Sequence, residues 1–277
     1  MRGRARNIRR RLKKHRLWVV SAIVLLFALV SIYIIRALVE LSVVRPAPTY
    51  HSFGVKLPSG FRLYGIDVSK YQGDIDWQSV RKMRVDSIQL SFAFMKATEG
   101  LSLKDDMFTR NWKNSKEAGL SRGAYHFFMP DRSGQAQASF FIRNVQLERG
   151  DLSPVLDIES MKRANKKMLI KEAKTWLQSV ENYYHVKPII YTNVSFYKSY
   201  LERAFDDYPL WIAQYKTDPP AIDRYWVLWQ HSEKARINGI LTRTDFNVFN
   251  GDSLAFSQLL VDSIYKSSAS ASAFRRK

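Results

Sequence analysis

The stretch PVLDIES, residues 154–160, joins an apolar run to two acids one residue apart, Asp157 and Glu159. The apolar run predicts a buried β-strand over Pro154–Ile158. Successive side chains of a strand point to opposite faces, so Asp157 and Glu159 are expected to project from the same face. Two like charges side by side repel, and one of the acids then usually keeps a proton near neutral pH. The pattern indicates a proton donor beside a carboxylate, with two solvated acids at a strand end as the alternative.

Acids recur at the ends of other apolar runs. Asp67, Glu99, Asp157 and Glu159 each lie at the carboxyl end of such a run, and Asp245 lies near a fifth. In barrels of parallel strands the carboxyl ends carry the active site. We therefore expect these acids to converge at one end of a barrel or sheet.

Short β-type runs alternate with helical stretches, which favours parallel strands joined by crossover helices. Strands are predicted at 63–68, 87–97, 123–128, 154–158, 188–191, 209–213 and 225–229. Helices are predicted at 77–83, 108–118, 135–145 and about 165–184, with a last one at about 254–265. The later strands are closer together and leave less room for helices.

The N-terminus has the pattern of a membrane anchor. Nine of the 44 Lys and Arg residues lie in the first 16 positions, with no acid among them. An uncharged run follows, LWVVSAIVLLFALVSIYII, which at about 1.5 Å per residue spans a bilayer core of about 30 Å. Because no small-x-small cleavage site follows, an uncleaved anchor is predicted rather than a signal peptide. The positive-inside rule then keeps the basic tail in the cytoplasm.

Composition excludes several classes of protein. The chain has no cysteine, so disulfides, thiolate metal sites and a cysteine nucleophile are excluded. No histidine pair has metal-ligand spacing, so neither a metal nor another cofactor is expected. Without the basic tail, 35 basic and 25 acidic residues remain, an excess that suits an anionic polymer as partner. The basic residues are scattered, which argues against a nucleic-acid partner.

The run YGIDVSKYQGDIDW, residues 64–77, resembles the opening motif of the family 25 glycoside hydrolases, the Chalaropsis-type lysozymes. Further matches follow in the family's order: FMKATEG (94–100), RGAYHFF (122–128), PVLDIES (154–160), IIYTN (189–193), PLWIAQY (209–215), WQHS (229–232) and DFNVFNG (245–251). Eight motifs in order, over about residues 63–252, make the resemblance specific.

The resemblance implies an α/β fold, a modified TIM-like barrel with fewer than eight helices. It also implies hydrolysis of the β-1,4 bond between N-acetylmuramic acid and N-acetylglucosamine in peptidoglycan. By this match Glu159 is the general acid, and Asp157 is either the nucleophile or the carboxylate that assists attack by the substrate's acetamido group. The family's outlying acids fall on Asp67 and Asp245.

Residues near the predicted strand ends are candidates for substrate binding, with core packing as the alternative for each. Aromatic rings can stack on sugar faces, and amides can hydrogen-bond sugar acetamido groups. The candidates are Tyr71, Tyr125, Tyr191, Trp211, Gln230, Asn247 and Glu99.

The predicted organisation has five parts: a basic cytoplasmic tail at 1–16, a transmembrane helix at 17–36, a stalk at 37–62, the hydrolase barrel at 63–265 and a low-complexity tail at 266–277. It places the barrel on the periplasmic or extracytoplasmic side of a bacterial cytoplasmic membrane, with peptidoglycan strands as partner. Two other functions stay open: a non-catalytic glycan-binding scaffold, and a hydrolase of another N-acetylhexosamine polymer such as chitin. The sequence does not predict an oligomeric state.

Overall fold

The computed structural model describes residues 18–36, 50–215 and 218–261, which belong to two separate units of the chain. The first unit contains helix α1, Trp18–Arg36, whose residues are all exposed. Among the described residues, α1 is the helix long and apolar enough to cross a membrane, a property that signal sequences share. The predicted tails at 1–16 and 266–277, and the stalk as far as residue 49, lie outside the described residues.

The second unit is a closed barrel of eight strands, with the order β1, β3, β5, β6, β7, β8, β9, β10 and back to β1. The strands are β1 (Leu63–Val68), β3 (Ile88–Glu99), β5 (Ser121–Phe127), β6 (Val155–Asp157), β7 (Ile189–Asn193), β8 (Leu210–Ala213), β9 (Leu228–Ala235) and β10 (Thr244–Phe249). Two short strands, β2 (Arg84–Val85) and β4 (Leu103–Lys104), pair with β3 outside the ring. The predicted barrel is confirmed.

The structure contains one barrel strand that the list of predicted strands lacks, β10, and its direction differs from that of the others. The strands from β1 round to β9 run parallel to their neighbours, but β10 is antiparallel to both β9 and β1. The link between β9 and β10 is therefore a short hairpin-like connection that needs no crossover helix. Because β10 is reversed, its first residues lie at the same barrel mouth as the carboxyl ends of the other strands.

Helices cover the outside of the barrel only where the connections are long. They are α2 (Trp77–Lys82), α3 (Phe108–Glu117), α4 (Gly134–Asn144), α5 (Lys166–Tyr184), α6 (Val194–Phe196) and α7 (Ser253–Ser257). Asp76, Ser133, Asn165 and Asp252 cap the first turns of α2, α4, α5 and α7 by accepting backbone N–H bonds. Helix α5 buries Leu169, Ala173, Trp176, Leu177 and Val180 at helical spacing, which fixes its packing face.

Alternate strand residues fill the barrel interior and form the floor of its mouth. The rings of Phe92 and Phe94 on β3 are fully buried there. A Cβ atom on Gly65 would come within 2.3 Å of the Phe92 ring, and one on Gly123 within 2.3 Å of the Phe94 ring. These two glycines are thus required because each leaves room for a ring from the neighbouring strand. The packed rings close the lumen, so the open space lies above them, at the mouth.

The segment 50–62, which the sequence analysis assigns to the stalk, packs on the barrel. Phe53 is 2% exposed and belongs to the main core. Its carbonyl oxygen accepts a hydrogen bond from the Arg236 N–H at 2.8 Å. The part of the predicted stalk that the structure describes is therefore part of the folded domain.

The predicted last helix, 254–265, is wrong in length because α7 ends at Ser257. The chain then turns and pairs with the loop before β6. The Ser153 N–H donates to the Leu259 carbonyl, and the Val261 N–H donates to the Asp151 carbonyl, both at 2.8 Å. These bonds hold residues 259–261 extended across the bottom of the barrel.

Candidate active site

A cavity of about 290 Å³ opens at the mouth of the barrel, where the carboxyl ends of the parallel strands meet. All four predicted catalytic acids line it: Asp67 at the end of β1, Asp157 at the end of β6, Glu159 two residues further on, and Asp245 at the start of β10. Tyr71, Tyr125, Tyr191, Trp211 and Gln230 line it too. The structure thus brings nine of the eleven predicted site residues together.

Strand register explains this convergence. Asp157 pairs with Phe127 of β5 on one side and with Tyr191 of β7 on the other. On the opposite wall Asp67 is the direct partner of Asp245 across the antiparallel β1–β10 pair. The acids therefore stand at one level of the ring, above the packed phenylalanines.

Asp157 and Glu159 interact directly. Burial, the Glu159 charge and a hydrogen bond with Glu159 raise the pKa of Asp157 well above its usual value. Burial also raises the pKa of Glu159, although the hydrogen bond with Asp157 and the positive charge of Lys96 partly oppose this. The Oδ1 atom of Asp157 is buried and has no donor among the residues that the structure describes. Two carboxyl groups form a hydrogen bond with each other only when one of them carries a proton, and the raised pKa values of both groups favour that singly protonated pair.

Asp67 is held by two amides. Its Oδ2 atom accepts hydrogen bonds from Asn247 Nδ2 at 2.7 Å and from Gln230 Nε2 at 2.9 Å. Burial raises the pKa of Asp67 to about 6, against the lowering effect of these two bonds, and the charge of Glu159 adds to the increase. Asp67 is 7% exposed and cannot turn away from the cavity without breaking both bonds.

An amide and hydroxyl network orients these two amides. Gln230 Oε1 accepts hydrogen bonds from the hydroxyls of Tyr191 at 2.9 Å and Tyr215 at 2.8 Å. Asn247 Oδ1 accepts a hydrogen bond from the indole N–H of Trp211 at 2.9 Å. Since both amide oxygens accept hydrogen bonds, both amide nitrogens are directed at Asp67.

Asn247 and Glu99 lie outside the acid cavity. Asn247 is fully buried, and both ends of its amide are bonded to protein groups, so it positions Asp67 instead of contacting a sugar. Glu99 forms an ion pair with Lys96 at 2.6 Å, with its side chain 23% exposed, and lines a neighbouring hollow. The register of β3 shifts between Lys96 and Thr98, which carries Glu99 away from the level of the other acids.

Two further lining residues bear on the chemistry of the site. Tyr215 lines the cavity, is 51% exposed and bonds Gln230; the sequence analysis did not select it, although it ends the PLWIAQY motif. Lys96 of the FMKATEG motif, which the sequence suggests as a partner for a site carboxylate, lines the cavity and partly opposes the rise in the pKa of both Asp157 and Glu159.

Asp245 sits beside like charges and is expected to destabilise the fold when ionised. Burial raises its pKa to about 9, with the charges of Asp67, Glu233 and Glu159 adding to the increase. The folded chain therefore holds this proton more tightly than the unfolded chain, whose pKa is near 3.8, and stability is lost as pH rises from about 4 to 9. Asp245→Asn cannot ionise, so its melting temperature should exceed that of the wild type at pH 8 by roughly 5 °C, with a smaller difference at pH 5.

Thermal unfolding of both proteins at pH 5 and pH 8 checks this expectation. Asp223→Asn, at an exposed position, is the matched control and should show no pH-dependent gain. A stability difference for Asp245→Asn that is the same at both pH values would contradict the assignment.

A closed barrel with a pair of interacting carboxyl groups and further acids at one mouth suits glycosidic bond cleavage, which needs a proton donor beside a carboxylate. Residues 66–240 match the sequence pattern of the glycosyl hydrolases family 25. The chain belongs to this family. The family and the enzyme class that the eight motifs indicated are confirmed.

Three similar proteins give the extent of the likeness. The chain is 46% identical over 201 residues to the uncharacterized protein YegX of Escherichia coli K12, and the match covers 72% of this chain and 74% of YegX. It is 35% identical over 204 residues to lysozyme M1 of Streptomyces globisporus, and the match covers 68% of this chain and 67% of lysozyme M1. A solved family 25 glycosyl hydrolase from Bacillus anthracis superposes with a TM-score of 0.67 at 32% identity, covering 76% of this chain and 98% of that one.

Proposed function

We propose that this family 25 hydrolase is a muramidase that cleaves the β-1,4 bond between N-acetylmuramic acid and N-acetylglucosamine in peptidoglycan. The observation that carries the proposal is the pair of neighbouring carboxyl groups, Asp157 and Glu159, in an open cavity at the barrel mouth. Cleavage of a glycosidic bond needs a proton for the leaving oxygen and negative charge beside an oxocarbenium-like carbon. One carboxyl pair supplies both.

Glu159 is the general acid in this proposal. It is more exposed than Asp157, which is 6% exposed, so its carboxyl stands nearer the space where a glycan chain lies. Burial raises the pKa of Glu159, which favours the protonated form that a general acid needs, and Asp157 competes with it for the same proton. Activity should fall as pH rises through this raised pKa, because the proton needed by the leaving oxygen is then absent.

Asp157 orients the substrate's acetamido group, which attacks the anomeric carbon from within the sugar. Asp157 lines the cavity and is 6% exposed, so its carboxylate is placed to accept a hydrogen bond from the acetamido N–H and thereby turn the acetamido oxygen towards the anomeric carbon. The reaction then proceeds with retention through two displacements. Asp67, on the opposite wall, adds negative charge that stabilises the developing cation at pH values above its pKa of about 6. Asp245 beside it keeps its proton near neutral pH, because its pKa is raised to about 9, and can donate a hydrogen bond there.

Exposed aromatic residues at the rim hold the glycan. Tyr71 is 75% exposed and Tyr215 is 51% exposed, and both line the cavity, so their rings are open to stack on pyranose faces. Trp211, by contrast, is 2% exposed with its indole packed 4.7 Å from Phe94, which gives it a place in the floor. Tyr125 and Tyr191 line the cavity between rim and floor, and Gln230, which is 2% exposed with both ends of its amide bonded to protein, acts there by holding Asp67.

Product analysis on two polymers tests the proposal. The chain from residue 50 onwards is incubated with purified peptidoglycan and with chitin, and the fragments are analysed by mass spectrometry. Fragments with new reducing ends on muramic acid are the expected result. Cleavage of chitin alone would point to another N-acetylhexosamine polymer, and binding without cleavage of either would point to a scaffold.

The N-terminal segment is proposed to be a single-pass membrane anchor. Helix α1 is apolar along its described length, and the nine basic residues that precede residue 17 favour a cytoplasmic N-terminus. The barrel would then act on peptidoglycan from the extracytoplasmic face of the cytoplasmic membrane. Tethering would concentrate the enzyme on the nearest layer of glycan.

Deleting residues 1–49 should release a soluble enzyme with unchanged turnover on soluble glycan fragments, because Phe53 and the rest of the barrel core are kept. The full chain should pellet with membranes and resist extraction by high salt or carbonate. Fractionation, with immunoblotting for an intact N-terminus, checks both. A full-length protein whose N-terminus is missing would show instead that the segment is a cleaved signal.

A further inference from the structure

A second groove opens beside the acid cavity. Lys96 lines the acid cavity and bonds Glu99, which lines an adjoining hollow of about 290 Å³. Met129 and Arg132 line this hollow and also a third one of about 400 Å³, where Lys162 and Arg163 form part of the wall. The two hollows share a wall and make one depression, here called the side groove.

The side groove carries unneutralised positive charge. Arg132, Lys162 and Arg163 are exposed, and within residues 50–215 and 218–261 the structure gives their side chains no ion pair and no hydrogen bond. Glu99 is neutralised by Lys96, so Asp131 is the acid that opposes the three cations. Three free cations against one acid favour an anionic ligand.

Backbone turns hold these cations close to the proposed catalytic pair. Lys162 and Arg163 follow Glu159 by three and four residues, in a turn closed by the Ala164 N–H donating to the Met161 carbonyl at 2.8 Å. Arg132 lies in the turn after β5, where its N–H donates to the Met129 carbonyl at 3.0 Å. A ligand in the side groove therefore lies next to a sugar bound over Glu159.

We infer that the side groove binds the carboxylates of the peptide that the muramic acid residue carries. This inference rests on the proposed muramidase function and names the form of the substrate: peptide-bearing glycan in preference to bare glycan. Peptidoglycan peptides have free carboxylates and small apolar side chains. The same groove is lined by Leu101 and Leu103, which are 44% and 42% exposed. Their side chains offer an apolar surface for the methyl groups of the peptide.

Two soluble glycans test the inference. One carries its peptides, and the other is the same preparation after an amidase has removed them. The wild type should have a higher kcat/KM on the peptide-bearing glycan, and the triple variant Arg132→Gln, Lys162→Gln, Arg163→Gln should lose about 10-fold there, mainly in KM, because each exposed charge pair contributes a factor of about two to five. On the peptide-free glycan wild type and variant should be equal. Raising the ionic strength should reduce the wild-type preference.

A second triple variant, Lys56→Gln, Lys174→Gln, Lys198→Gln, removes the same charge from exposed positions outside the groove and should behave as the wild type on both glycans. Equal losses on both glycans, or no loss on either, would overturn the inference while leaving the muramidase function intact. A wild type that cleaves neither glycan would overturn the muramidase proposal and the inference together.

Discussion

Replacing Glu159 by glutamine should lower turnover on peptidoglycan by about 10²- to 10⁴-fold, the usual contribution of a positioned general acid. Glutamine keeps the size and hydrogen-bonding reach of glutamate but cannot release a proton to the leaving oxygen. Glycan binding should be nearly unchanged, since no charge is needed to hold a neutral sugar. The measurement is release of reducing ends at saturating substrate, with binding followed separately on insoluble peptidoglycan.

Three controls make this result specific. Glu202→Gln, at an exposed position away from the cavity, should retain wild-type turnover. The melting temperature of Glu159→Gln should not fall, because the substitution removes one partner of a crowded acid pair. A substrate with an activated leaving group that needs no protonation should recover much of the lost rate. Near-normal turnover by Glu159→Gln on peptidoglycan would disprove the role of Glu159.

The sequence predicted the barrel and its mouth because hydrophobic periodicity records burial directly. The apolar run 154–158 is typical of a buried strand, and Asp157 and Glu159 then lie at its carboxyl end. The hydrophobic pattern contains no information on strand direction. The segment 245–249, DFNVF, would alternate in the same way in a parallel or an antiparallel strand, so only the structure shows the reversal of β10.

Side-chain partners were predictable only where they lie close in sequence. Asn247 looked like a sugar ligand because it ends up in the same motif as Asp245. Its amide forms hydrogen bonds with Trp211 and Asp67, which are 36 and 180 residues away in the sequence. Glu99 was grouped with the other acids because it ends an apolar run. A one-residue register shift in β3 and the ion pair with Lys96 place its side chain outside the acid cavity. Such shifts depend on tertiary pairing, which the local pattern does not contain.

Asp157→Asn should also lower turnover by about 10²- to 10⁴-fold, and the way in which activity is lost distinguishes the two roles left open for this residue. If Asp157 orients the acetamido group, the residual product keeps its configuration and added azide does not restore the rate. If Asp157 were the nucleophile, azide would enter the emptied space and give a glycosyl azide of inverted configuration. We expect the first outcome, followed by proton NMR of the new anomeric centre.

A change in the substrate gives an independent test of the same assignment. A trifluoroacetamido group in place of the acetamido group of the cleaved sugar is a much weaker internal nucleophile, so the wild-type rate should fall steeply if that group attacks. The Asp157→Asn variant has already lost the orientation of the group and should respond far less to the fluorines. If the two proteins were slowed equally, Asp157 and the acetamido group would not act in one step. A wild type unaffected by the fluorines would assign the attack to Asp157 itself, whose raised pKa would then have to fall when the glycan binds.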